Sequence, residues 1–455
     1  MLQSPPKKRA ASDPTTSQSL PDGQAPLIGF RLLLALTLFM LLSLAEQIPG
    51  VAAVRPTLLL TLVLIGISIA NFARVKHSLQ NPATKAVTGL AVYILVTFPL
   101  AYWPGSVLNN LPHLIISFGY FYFIAIYVDS VRRLEIFIAV YTAAQVFRVL
   151  APLFLNLTTG YWGDKTYLGD DTGFIARLGG APWDIINANG LASLVAITVP
   201  FLYFWGRSRG TLTLLGFVLP LSLALIYALM LTLSRSTLLA LGVEAFAVLM
   251  FSKKRLVILG VLFVAFTVGV AALSPLQKER FLGSMYRSDA KGSESAKGRL
   301  TGITDDIEVW AEHPLFGYGF GTSGEALFNF KGGHTISHTL YTEALMEIGI
   351  FGIPFLLVYL AQLWKAAMQT YRLSNQNQDR LRLAPILLWN PPALLVWLIG
   401  YLFFSIFSYG LSTYTWYLYG GIIVATRNII DDVLKANPLN PPKPQQTRVP
   451  ALHRR

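Results

Sequence analysis

Apolar runs of membrane-spanning length recur along almost the whole chain, beginning near Phe30, Thr57, Ala86, Leu114, Ile136, Leu191, Leu212, Leu238, Val257, Leu340, Ala384 and Thr413. A helix of about 20 such residues covers the hydrocarbon core of a bilayer. With 54% hydrophobic and 13% charged residues among 455, the chain has too little polar surface to clothe a soluble globule. The expected fold is an all-α polytopic membrane protein of about twelve transmembrane helices.

The cations between the runs alternate in a way that sets orientation, because cytoplasmic loops retain Lys and Arg during insertion. Lys7-Lys8-Arg9, Arg74 with Lys76 and Lys85, Arg132-Arg133, Arg207 with Arg209, Lys253-Lys254-Arg255, Arg372 with Arg380 and Arg382, and the basic tail share one side. Both termini are therefore expected in the cytoplasm, and the net charge of +13 reflects this bias rather than nucleic-acid binding. The chain divides into a disordered N-terminus at 1–28, helices 1–9 at 29–273 with an outer loop at 156–187, a large outer loop at 274–337, helices 10–12 at 338–430, and a disordered tail at 431–455. The N-terminal stretch lacks the apolar core and cleavage site of a signal peptide. The absence of cysteine excludes disulfides, thiolate metal sites and a cysteine nucleophile.

Charge, glycine and histidine concentrate in the large loop, which carries Lys278, Arg280, Arg287, Lys291, Lys297, Arg299 and Lys331 on the face where membrane proteins avoid positive charge. Leu300, Ile303, Ile307 and Trp310 recur at helical spacing and predict an amphipathic helix that lies on the membrane or caps the bundle. The run His313-Pro314-Leu315-Phe316-Gly317-Tyr318-Gly319-Phe320-Gly321 then forces a compact turn. It is not a phosphate loop of the Walker type, because no Gly-Lys-Ser/Thr ending follows and no strand precedes it.

Ser337 fits a helix N-cap, which would put His338 in the first turn, where the helix dipole favours a neutral, proton-accepting imidazole. A zinc site at His334 and His338 would need both on one helical face, and the glycine pair with Ser337 leaves His334 in the preceding loop. Arg235 occupies the tight turn Thr232-Leu233-Ser234-Arg235-Ser236-Thr237. An arginine there either snorkels to headgroups or pairs with an anion. Arg299, ahead of the amphipathic helix, is either a solvated charge or an anion ligand, and arginine forks match phosphate oxygens. Asn187-Ala188-Asn189-Gly190 opens the sixth helix, with N-capping its simplest role. Arg177 is ambiguous, and Glu46 and Glu244 are isolated acids within apolar runs.

Together these residues resemble the bacterial O-antigen ligase and polymerase superfamily. His338 with Glu347, Gly349 and Gly352 resembles its His...Glu-x-Gly-x-x-Gly segment, although Thr339 stands where Asn or Ser is frequent. Ser234-Arg235 is similar to its Ser-Arg element, and Arg299, Trp310, His313-Pro314 and Gly317-x-Gly319 to its loop signature. Asn189 with Leu191 and Ala192 resembles its Asn-x-x-Ala helix start. The resemblance implies an inner-membrane glycosyltransferase that moves a glycan from undecaprenyl pyrophosphate to an acceptor on the periplasmic side, with membrane lipids as surroundings and neither metal nor other cofactor. It implies His338 as general base and Arg235 and Arg299 as pyrophosphate ligands. Asn189 is a possible supporting residue, as is Arg177, although Arg177 has no firm counterpart in the family. Lipid A-core is the expected acceptor, and extension of the same repeat or transfer to protein are the related alternatives. A transporter or flippase for an anionic lipid-linked substrate is the rival of another class; it would need polar residues along several helices.

Overall fold

In the computed structural model, the described residues are 25–436, apart from 49, 164–166, 171–172, 185, 252–254, 272, 274, 276–277, 279–290, 333–336, 338 and 409. Helices cover the apolar runs: α1 Leu27–Leu41, α2 Pro56–Ala70, α3 Pro82–Thr97, α4 Pro104–Tyr127, α5 Val131–Thr159, α6 Ala188–Arg209, α7 Leu219–Thr232, α8 Arg235–Phe251 and α9 Arg255–Ala271. Two loop helices follow, α10 Lys291–Glu312 and α11 Ser323–Lys331, and then α12 Leu340–Gln376, α13 Ile386–Phe404 and α14 Tyr414–Ala436. The chain is an all-helical polytopic membrane protein apart from one antiparallel hairpin, β1 Tyr167–Asp170 with β2 Gly173–Ala176, which pairs Tyr167 with Ala176 and Asp170 with Gly173.

Among the described residues, 8 helices are long and apolar enough to cross a membrane. The expectation of about twelve counted shorter elements as well. α1 has 15 residues, and α8 and α9 have 17 each. α14 reaches Ala436, past the position where the tail was placed.

The centre is built around α14. Its Gly421 lies so close to α4 that an added Cβ would stand 2.8 Å from the Phe121 carbonyl oxygen, and small residues permit such close approach between membrane helices. Trp397 of α13 stacks on Tyr419 of α14 at 3.7 Å between ring centroids, and Phe118 of α4 stacks on Tyr417 at 4.1 Å. At one end of the bundle Asp129 ties together Arg74, Arg133 and the amide of Ala25. The opposite end carries the loops, where the start of α4 meets the glycine turn and the end of α13 meets the start of α12.

Candidate functional site

α12 is broken. Gly349 has φ 65° and ψ −179°, so the helical ladder fails around it and its carbonyl and amide groups need other partners. The glycine turn of the large loop supplies them. Tyr318 N donates to the Met346 carbonyl at 2.7 Å and Gly319 N to that of Glu347 at 3.0 Å, while Ile350 N reaches the Pro314 carbonyl at 2.8 Å. Tyr93 Oη donates to the Ile348 carbonyl at 2.7 Å. The spacing of the motif follows from this docking: Gly317 and Gly319 have φ 73° and 115°, and a Cβ on Gly349 would lie 2.3 Å from the Leu315 carbonyl oxygen. Trp310 Nε1 caps the turn by donating to the Pro314 carbonyl at 3.1 Å.

The acids of α12 fasten the remaining loops. Glu343 accepts from the amides of Gly410 at 2.6 Å and Leu411 at 2.9 Å, and Glu347 accepts from the Ser323 hydroxyl at 2.8 Å at the start of α11. α10 presents a different face from the expected stripe. Ile303 and Trp310 turn partly inward together with buried Asp306 and Val309, whereas Leu300 is 68% and Ile307 44% exposed. An aspartate therefore sits in the middle of the buried face. Its Oδ2 accepts from Ser337 Oγ at 2.6 Å and from the Thr342 hydroxyl. Burial raises the pKa of this carboxyl above its ordinary value, and the two hydroxyl donors oppose the shift.

This geometry corrects the expected helix start. Thr339, not Ser337, caps α12, its hydroxyl accepting from Tyr341 N at 3.1 Å, because Ser337 is committed to Asp306. His338 thus precedes the cap in sequence instead of lying in the first turn. His338 and His334 are outside the described residues. Arg299 lies on α10, seven positions before Asp306.

Arg235 begins α8 directly after a reversal at Leu233, whose φ of 54° turns the chain out of α7. Beside it, Arg177 donates from Nε to the Thr232 carbonyl at 2.7 Å and from Nη2 to Asn189 Oδ1 at 2.7 Å. The two residues that sequence left as possible support are therefore bonded to each other and to the strand of chain leading into Arg235. Asn187 is the N-cap of α6, accepting from Gly190 N at 2.8 Å, which leaves Asn189 available to Arg177.

Asn189 and Ser236 line a cavity of about 570 Å³, within the usual range for a small-molecule site. Its wall is part apolar, with Leu194, Ile197 and Phe404, and part polar, with His113, Ser193 and Thr413. Arg148 of α5 also faces it, its fork on Asp184 at 2.7 and 2.9 Å. Sequence reading passed over Arg148, although an arginine midway along an apolar run is a signal in itself.

Residues 220–357 match the family described as O-antigen ligase. Over that segment the chain is similar to the O-antigen ligase family. The matched residues include Arg235, the whole of α10 and α11, the glycine turn and the break in α12 that receives it. Arg148, Arg177 and Asn189 lie before it. No curated protein matches the chain. The class of function that this similarity supports is the transfer of lipid-linked glycan by a membrane-embedded protein.

Proposed function

We propose that the protein is an O-antigen ligase of the bacterial inner membrane, joining a glycan carried on undecaprenyl pyrophosphate to lipid A-core on the periplasmic face. The observation that carries this reading is the amphiphilic cavity beside Arg235, which offers polar groups to a sugar and apolar walls to the start of a lipid. The loop-bearing end of the bundle is read as the periplasmic one and both termini as cytoplasmic.

In this mechanism Arg235 and Arg299 hold the pyrophosphate and stabilise the charge it gains as the glycosidic bond breaks. Arg177 and Asn189 brace the turn that presents Arg235. His338 takes the proton from the attacking acceptor hydroxyl, and direct displacement inverts the anomeric carbon. The bond to pyrophosphate is already activated, so the reaction draws on neither metal nor nucleotide.

The test is reconstitution with a glycan-bearing polyprenyl pyrophosphate and lipid A-core, without ATP. Joined product supports the ligase reading; elongation of the glycan without acceptor, or translocation without bond formation, replaces it with a polymerase or a transporter. His338→Ala should lower transfer by roughly 10²–10⁴-fold, the usual contribution of a general base, with donor binding retained. Arg235→Gln and Arg299→Gln should each weaken donor binding about tenfold or more, the effect of losing ~1.4 kcal/mol.

A further inference from the structure

Arg148, which lines the cavity, and its buried partner Asp184 are left without a task by the transfer mechanism above. Arg148 is 8% exposed and lies within a membrane-spanning helix, where an arginine is costly to keep. Anchoring the loop does not explain it. That loop is already fastened by Leu178 N on the Leu231 carbonyl, Gly179 N on the Trp162 carbonyl, and the Arg177 bond to Thr232. A dedicated turn instead presents Asp184: Gly180 N bonds the Ile186 carbonyl, and a Cβ on Gly180 would fall 2.0 Å from the Asp184 carbonyl oxygen.

The donor count shows what the pair can still bind. A guanidinium has five N–H groups. Nε and Nη2 donate to Asp184, and Nη1 donates to Gln145 Oε1 at 3.2 Å, which leaves one N–H on each terminal nitrogen uncommitted among the described residues. The charges cancel, so a phosphate would gain little at Arg148 and would be repelled by Asp184. A neutral hydroxyl, whose oxygen accepts hydrogen bonds, suits the two spare N–H groups of an arginine neutralised in this way. Tyr401 and Tyr414 line the same cavity, and aromatic rings suit the C–H groups of a sugar.

We propose that Arg148, held and neutralised by Asp184, forms a sugar-hydroxyl subsite that reads the glycan of the lipid-linked donor, apart from the arginines that hold its pyrophosphate. The inference rests on the transfer reading. It is tested by measuring binding of polyprenyl pyrophosphate with and without its glycan to the full-length protein in detergent. Wild-type protein should prefer the glycan-bearing form. Arg148→Lys, which keeps the charge and loses the fork, should reduce that preference at least tenfold with little change for the bare lipid. The double variant Arg148→Met with Asp184→Leu, which leaves no lone buried charge, should behave alike with its thermal midpoint preserved. Both variants keeping the preference, or losing affinity for the two lipids equally, overturns the subsite while the transfer reading stands. Wild-type protein that binds neither lipid overturns the transfer reading and the subsite with it.

Discussion

At the scale of single residues, the glycines at the α12 break are the most constrained positions. An alanine at Gly349 would occupy a backbone region that is essentially glycine-only, at a cost of about 1–3 kcal/mol, and would also overlap the Leu315 carbonyl. Gly349→Ala and Gly317→Ala should therefore lower the thermal midpoint in detergent and abolish transfer together, while Gly242→Ala, which meets open space, should do neither. The motif that pointed to the family was legible because glycines and a proline are rare punctuation in an apolar sequence. Their purpose was not legible, because pairing between residues 314–319 and 346–351 is a contact between distant pieces of backbone. Arg148 escaped notice for a related reason: its significance lies in Asp184, 36 positions away.

At the scale of elements, helix existence could be read from hydrophobic runs, and the inward face of α10 could not. The apolar residues of that helix suggested a stripe through Leu300 and Ile307, yet the packed face centres on Asp306, whose Oδ2 accepts from two hydroxyls of the α12 junction. This arrangement responds to pH with a definite sign. Because burial raises the folded pKa of Asp306, its contribution to docking is fully present below the ordinary carboxyl value of about 4 and is lost as pH rises through the raised value. Protection of α10 from proteolysis should thus be greater at mildly acidic than at neutral pH. Asp306→Asn should flatten that dependence.

At the scale of the whole molecule, the alternation of basic clusters predicts an orientation, with Lys85 and Arg133 near the starts of α3 and α5 and Arg207 at the end of α6 expected on the cytoplasmic side. Single cysteines can test it directly, since the chain has none of its own. A cysteine at Asn329 should react with an impermeant maleimide added to intact spheroplasts, and one at Arg382 should react only after the membrane is opened; the reverse pattern would invert the proposed topology. The number of crossings was the least legible property, because short apolar helices and long ones carry the same compositional signal.

The mended break in α12 also imposes a schedule on biogenesis. The loop that completes it is synthesised first, but until α12 has entered the bilayer the loop has no gap to fill, and until the loop returns α12 leaves carbonyls and amides unpaired in or near hydrocarbon. Neither half can reach its final state during its own passage through the insertion machinery. Maturation of the protein must therefore include a late step, after the last of these segments has left the insertion machinery, in which the loop folds back and closes a helix that entered the membrane unfinished.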